Sequence, residues 1–290
     1  MLLREVEYTR ATSIDDALAL LAGHDDARVL AGGQTLVNVL KLRIAAPARL
    51  VDITRVAELR GVRRLPDGGL DIGAATTYAE IAEAVDVWAI RALVAEVASI
   101  IADVQVRNRG TIGGNACLNL PTNHFPSVLV AVGARLVVTG RAGERVVPAE
   151  QFFQSPFTTA VRTGELLTRI EIPALPAGGG DAFVAMAAGK ESQSIVHVAV
   201  ALRVGDAVED ARIAIGCVGP KPVRAIAVER ALLGTQASPD DVSLAVQGLG
   251  DSLSPTADVN ATAAFKRHVA EVLVERAVLA AAERSRGERG

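Results

Sequence analysis

Arg109-Gly110-Thr111-Ile112-Gly113-Gly114-Asn115 is the stretch from which the fold of this chain is read, and Ala31-Gly32-Gly33-Gln34-Thr35 answers it near the N-terminus. Both are glycine-rich turns next to apolar runs. Where glycine removes the Cβ, backbone N–H groups can converge on an anion. Arg28 to Ala31 reads as a buried strand running into Gly32-Gly33, and Leu36 to Arg43 as a short helix with Gln34 or Thr35 near its cap. Strand, glycine turn and helix start aim free amides and the helix dipole the same way, which suits a phosphate. In the second stretch Thr111 offers a hydroxyl, Gly113 and Gly114 offer unobstructed amides, and Asn115 offers a side chain that both donates and accepts. A plain turn between strands accounts for the glycines but not for the Thr and Asn flanking them. The two stretches are therefore read as two halves of one diphosphate cradle. Neither contains the G-x-G-x-x-G of a dinucleotide-binding βαβ unit or the G-K-[ST] of a P-loop.

Composition narrows the rest. At 290 residues, half of them hydrophobic, the chain can bury a substantial core in one or two domains. Its apolar runs are short and interrupted, so none is expected to span a bilayer. Glu5 and Glu7 stand where a signal peptide would carry its apolar segment, and a cytoplasmic protein is expected. A net charge of −3 with both signs interspersed argues against a nucleic-acid binder. The two cysteines, Cys117 and Cys217, provide neither a disulfide framework nor the thiolates of an iron–sulfur cluster. No set of residues has metal-ligand spacing, and no acid–base pair for oxidising an organic substrate is legible, so no catalytic or metal-binding residue is assigned.

Along the chain, Ser13 and Asp16 form a capping box for a helix that stops at Gly23, and Thr77 and Glu80 form a second. Leu50 to Ile53 and Leu70 to Gly73 alternate like half-buried strands. Trp88 to Ile101 has helical spacing. Pro121 to Phe125 is read as a loop before a helix at Pro126 to Val132, and Arg135 to Thr139 pairs with Glu144 to Val147 as a hairpin. The stretch Pro173 to Gly180 is the most linker-like in the chain. Beyond it, Val196 to Val204 and Ala211 to Val218 read as strands, Val223 to Leu233 as a helix, Ser238-Pro239 as the start of another, and Thr262 to Arg284 as a long amphipathic helix. The division is a first domain at 1–175, with subdomains about 1–56 and 57–175, and a second at 176–290.

Taken together, the motifs resemble a known family. Ala31 to Thr35, followed by Lys41-Leu42-Arg43 and Leu50 to Ile53, is similar to the first FAD signature of the flavin (medium) subunit of molybdenum hydroxylases, the carbon monoxide dehydrogenase and xanthine dehydrogenase type. Val106 to Asn115, then Pro121 and the helix to Ala134, resembles the second signature. Gly219-Pro220-Lys221-Pro222-Val223-Arg224-Ala225, with Val228-Glu229 and Leu232-Leu233-Gly234, is similar to the same subunits' C-terminal domain. The resemblance spans nearly the whole chain in the family's order.

It implies an α+β protein: a two-subdomain FAD-binding fold of the vanillyl-alcohol oxidase and p-cresol methylhydroxylase type, then a smaller domain with an antiparallel sheet packed against helices. It implies non-covalent FAD held by Ala31, Gly32, Gly33, Gln34 and Thr35 on one side and Thr111, Gly113, Gly114 and Asn115 on the other. Substrate oxidation would fall to a large partner subunit with a molybdenum cofactor. Electrons would pass through a small partner subunit with two-iron iron–sulfur clusters to this chain, and from FAD to an external acceptor, in a dimer of heterotrimers. A self-sufficient flavin oxidase or reductase of the same fold would need an acid or base of its own. A scaffold that has lost flavin would not need the Thr and Asn beside the glycines.

Two positions depart from the family pattern. His124 stands where the family usually has an acidic residue; it is read either as a surface loop histidine or as facing the flavin, where it would donate a hydrogen bond and, when protonated, favour the anionic reduced flavin. Around Gly189 to Ser194 the usual aromatic is missing, and Lys190 is read either as a solvated surface lysine or as reaching the flavin edge or phosphates. His197, inside an apolar strand, is expected to be a satisfied core histidine, and Cys117 to pack as a small apolar side chain.

Overall fold

The computed structural model describes residues 4–24, 26–189 and 193–287. It begins with β1 (Glu7–Arg10), α1 (Ile14–Ala22), β2 (Ala27–Leu30), α2 (Leu36–Lys41) and β3 (Arg49–Asp52), whose strands form a parallel sheet in the order β1-β3-β2. The Ser13 hydroxyl caps α1 by accepting from the Asp16 amide at 3.1 Å. Asp16, however, turns to the amide and hydroxyl of Thr12, at 2.8 and 2.9 Å, and so the expected box closes one residue earlier. Ala17, Leu18 and Leu21 face Val51 and Ile53 in a small core that also takes in Leu59 and Leu166.

The next elements are β4 (Val62–Arg64), β5 (Leu70–Gly73), α3 (Tyr78–Glu83), α4 (Val85–Ile100), α5 (Val104–Arg107), α6 (Ile112–Leu118), α7 (His124–Ala131), β6 (Arg135–Gly140), β7 (Gly143–Pro148), α8 (Ala149–Phe152), β8 (Phe153–Ser155), β9 (Thr158–Thr159) and β10 (Leu166–Ile172). An antiparallel sheet runs β4-β5-β10-β6-β7, with the last strand of the unit at its centre. The Thr77 capping box forms as its sequence demands. Three expectations shift here. The apolar run at Trp88 starts at Val85 and is broken by Arg91, with φ −152° and ψ 74°. Gly113, Gly114 and Asn115, expected in a glycine-rich turn, lie in the first turns of α6. His124 and Phe125 already belong to α7, because Asn123 ends the loop in extended conformation.

The C-terminal part holds β11 (Gly179–Ala187), β12 (Ser194–Val204), β13 (Val208–Gly216) and β14 (Val223–Arg224), an antiparallel sheet in chain order, followed by α9 (Ile226–Leu232), α10 (Pro239–Val246), α11 (Leu249–Ser252) and α12 (Ala263–Ser285). Val223 and Arg224, expected as the start of a helix, add an edge strand to β13 before α9 begins. The central strand β12 is buried on both faces over most of its length, and so it reads as a nearly continuous apolar run. Ala199 and Ala214 join the core of the first unit beneath α7, while Val198, Val200, Ile213 and Ile215 pack under α12 with Leu273, Val274 and Ala277. Each Val or Leu so buried stabilises the fold by about 1.5 to 3 kcal/mol.

The linker-like stretch is anchored rather than loose. Arg91, at the break in α4, donates from Nε and Nη2 to Asp181 at 2.5 and 2.9 Å, and from Nη1 to the carbonyls of Pro173 and Ala174, each at 3.2 Å. Both partners of this ion pair are buried, at 4 and 5% side-chain exposure. Arg284 of α12 donates to the Asp181 carbonyl at 2.9 Å. Replacing Asp181 with Ala strands a buried guanidinium, and a loss of about 3 to 5 kcal/mol is expected in chemical denaturation; a loss below about 1 kcal/mol would show that the pair is not what joins the two parts.

Candidate functional site

A cleft of about 680 Å³ runs between the first sheet unit and the second, and both glycine stretches line it. They meet directly. A Cβ on Gly32 would collide with the Arg109 carbonyl and lie 2.8 Å from Gly110 Cα, so the two motifs touch backbone to backbone. Gly33 sits at φ +72°, a left-handed conformation that turns the chain from β2 into α2. The Gln34 amide donates to the Gly32 carbonyl at 3.2 Å and braces this turn. Thr35 occupies the cap position of α2, yet its side chain makes no capping bond.

The second motif is held by the strand-to-helix corner at Ala74 to Tyr78. The Ile112 amide donates to Thr76 O at 3.1 Å, the Gly113 amide to Ala74 O at 2.9 Å, and the Tyr78 amide to Gly110 O at 3.0 Å. The Thr111 hydroxyl accepts from the Gly114 amide at 3.0 Å as the cap of α6. This corrects the sequence reading: the amides of Gly113 and Gly114 are committed within the protein. What these glycines contribute is space. A Cβ on Gly113 would lie 2.5 Å from the Ala74 carbonyl, and one on Gly114 would crowd the Thr111 hydroxyl at 2.9 Å, whereas the Gly114 surface is otherwise open to the cleft.

Asn115 is buried and donates to the Tyr78 hydroxyl at 2.9 Å, leaving its Oδ1 without a partner. Thr122 Oγ1 and His124 Nδ1 are likewise buried and unpartnered, and all three residues line the cleft. Burial pushes the Tyr78 phenol up to about 12. Arg28 and Arg162 bring cationic side chains to the lining, which suits a group carrying phosphate charge.

His124 lines the cleft from the first turn of α7, with Nε2 2.8 Å from Ser194 Oγ of β12. Desolvation lowers its pKa to about 4. The ring is therefore neutral near pH 7, which removes the expected protonated role. His197 is the satisfied core histidine expected: it is fully buried, with Nε2 3.1 Å from Ser127 Oγ and Nδ1 3.7 Å from Cys217 Sγ. Cys117 is exposed to the cleft rather than packed, yet deep enough in it that desolvation pushes its thiol up to about 12. Lys190 lies outside the described residues. Sequence reasoning did not assign Ala74, Tyr78, Thr122 or Gln193 to the lining, although the Thr77 capping box adjoins Tyr78, and Thr122 and Gln193 lie in the stretches singled out around His124 and Lys190.

Comparison with known proteins follows this geometry. Residues 4–175 match the family described as the FAD binding domain in molybdopterin dehydrogenase, and residues 181–281 match the CO dehydrogenase flavoprotein C-terminal domain. The chain belongs to this family of FAD-binding medium chains of molybdenum hydroxylases, oxidoreductase subunits that transfer electrons through FAD within multi-subunit complexes. It is 36% identical to the glyceraldehyde dehydrogenase medium chain of Sulfolobus acidocaldarius, over 94% of this chain and 97% of that one. It is also 36% identical to the carbon monoxide dehydrogenase medium chain of Hydrogenophaga pseudoflava, over 95% and 96% of the two chains. A solved carbon monoxide dehydrogenase from Hydrogenophaga pseudoflava superposes with a TM-score of 0.93, over 97% of this chain and 98% of that chain at 37% identity. Among the described residues no helix is long and apolar enough to cross a membrane, and no group of three His, Cys, Asp or Glu is placed to hold a metal ion.

Two outcomes are expected. Gly32→Ala forces the motifs apart at a backbone contact, so it should cost about 3 kcal/mol or more in denaturant unfolding; a neutral effect would show that the contact yields easily. The two depressed histidines set a pH dependence. Between about pH 6.5 and pH 4 the unfolded chain binds more protons at His124 than the folded one, so stability falls as pH falls, by about 2 kcal/mol from His124 between pH 7 and pH 5, and His197 acts in the same direction. Denaturant midpoints across that range check the sign, and a flat profile would contradict the neutral rings.

Proposed function

We propose that FAD binds this chain non-covalently in the cleft between the interlocked glycine stretches. Ala31, Gly32, Gly33, Gln34 and Thr35 contact it from one side and Thr111, Gly113, Gly114 and Asn115 from the other. The observation that carries this reading is the backbone contact beneath Gly32, which fixes both stretches on one cleft. The buried, unpartnered Asn115 Oδ1, Thr122 Oγ1 and His124 Nδ1 fit a cleft filled by a group with polar atoms of its own.

FAD, when bound, supplies the redox chemistry. The protein's part is binding, orientation and exclusion of water. The Gly32–Gly33 turn brings backbone close to the diphosphate, Thr111 keeps α6 in place, and Arg28 and Arg162 balance negative charge. His124 presents a neutral ring, which leaves the cofactor's own charge unopposed at that wall. Lys190, outside the described residues, is kept as a candidate for the flavin edge or phosphates on its place in the sequence alone.

In the assembled enzyme, electrons come from two-iron clusters on a small subunit, fed by a molybdenum cofactor on a large one, and leave for an external acceptor. The complex is a cytoplasmic dimer of heterotrimers, and the chain divides into a cofactor domain at 1–175 and a C-terminal domain at 176–290. Relatives named as medium chains, and one named as a subunit of a dehydrogenase complex, support this reading.

The test is the cofactor content of the chain purified alone and with co-expressed partners. Releasable FAD is expected with the chain, and iron and molybdenum only with the complex. Gly114→Val should keep the fold and lose FAD, because it fills the open face and displaces the Thr111 cap. Full FAD content in the folded variant would refute the site. Turnover of an organic substrate by the chain alone would make it a self-sufficient oxidase.

A further inference from the structure

The wall of the cleft at Pro121–His124 belongs to the first unit in sequence, and Asn123 Nδ2 ties it there by donating to the Asn115 carbonyl at 3.0 Å, yet the polar ties at its two ends run to the C-terminal part. Thr122, Asn123 and His124 line the cleft. His124 Nε2 is 2.8 Å from Ser194 Oγ, at the start of β12. The Pro121 carbonyl accepts from Cys217 Sγ at 3.3 Å, and the same thiol lies 3.3 Å from the Ser194 carbonyl. One thiol thus joins the beginning of the wall to the strand that holds its end.

The backbone is shaped for this arrangement. Cys217 follows β13 at φ +68°, a left-handed conformation that a residue with a Cβ rarely adopts, so surrounding structure holds it there. The preceding Gly216 has no room for a Cβ, which would collide with the His197 ring. That ring packs edge-on against His124, with centroids 5.1 Å apart. Ser194 and Cys217 are both buried, while their partners Pro121 and His124 are half-buried at the cleft, so solvent reaches each hydrogen bond from one side at most. Gln193, next to Ser194, lines the cleft itself.

We propose that Ser194 and Cys217 are positioning residues for the FAD site: the C-terminal sheet fixes the Pro121–His124 wall in its cofactor-accepting shape, through the Ser194–His124 and Cys217–Pro121 hydrogen bonds. Cofactor affinity then depends on residues far in sequence from both glycine stretches. This inference rests on the FAD reading above.

The test uses the full chain freed of flavin and titrated with FAD, read by quenching of flavin fluorescence and by the flavin absorption band. Ser194→Ala is expected to weaken binding about tenfold and shift the band, the effect of one lost buried hydrogen bond, and Ser194→Thr to restore both. In a His124→Ala background Ser194→Ala should have no further effect, because the hydroxyl acts through the ring. Cys217→Ala is expected to weaken binding in the same way and Cys217→Ser to restore it, and this pair carries the test if Ser194→Ala fails to fold. Unchanged affinity and spectrum in the folded alanine variants would overturn the inference, as would an equal loss from Ser194→Ala with His124 already removed. A wild-type chain that does not bind FAD would overturn the flavin reading and this one with it. Tight FAD binding by wild type and by both alanine variants would overturn this one alone.

Discussion

The contact on which the site depends is the one beneath Gly32, where two turns about eighty residues apart in sequence meet with no side chain between them. The first turn could not approach the second if it carried a Cβ at that point. The small parallel sheet fixes one turn at the end of β2, and the Ala74–Tyr78 corner fixes the other at the start of α6. Each anchor lies in a different sheet unit. The cleft is the space left where those units are pressed together, and its position follows from the glycine contact rather than from either unit alone.

Much of this was legible because it is local. Ser13, Thr77, Ser238 and Thr262 all cap their helices with the side chain, as a hydroxyl before an apolar run should. The hairpin of β6 and β7 and the glycine turn after β2 follow from the same short-range rules. What escaped was the use to which polar groups are put. Nothing near Gly113 in sequence indicates that its amide is taken by Ala74, since that partner comes from an antiparallel corner thirty-nine positions earlier. The break at Arg91 was also hidden. Helical spacing persists on both sides of it, and the cause is a carboxylate that belongs to β11. Val223 was misread because a two-residue edge strand leaves no periodic signal.

The C-terminal sheet plays a double part. One face takes α12 and the other takes α7, so the helix that begins with His124 is as much a cover for that sheet as a wall for the cleft. Burial on both sides accounts for the neutral state of His124 and His197, because a charged imidazolium between two packed layers would lose its hydration without gaining a counter-charge.

The place of β10 in its sheet bears on how the chain emerges from the ribosome. This strand, the last of the first unit, lies at the centre of its sheet between β5 and β6, so that sheet stays open until residue 172 has been made. The wall at Pro121–His124 waits longer, for Ser194 and then Cys217. Synthesis at about 5 to 20 residues per second separates the first glycine turn from Cys217 by roughly 9 to 37 seconds. If the proposed wall governs cofactor affinity, FAD loading has to wait until Ser194 and Cys217 have been made and packed.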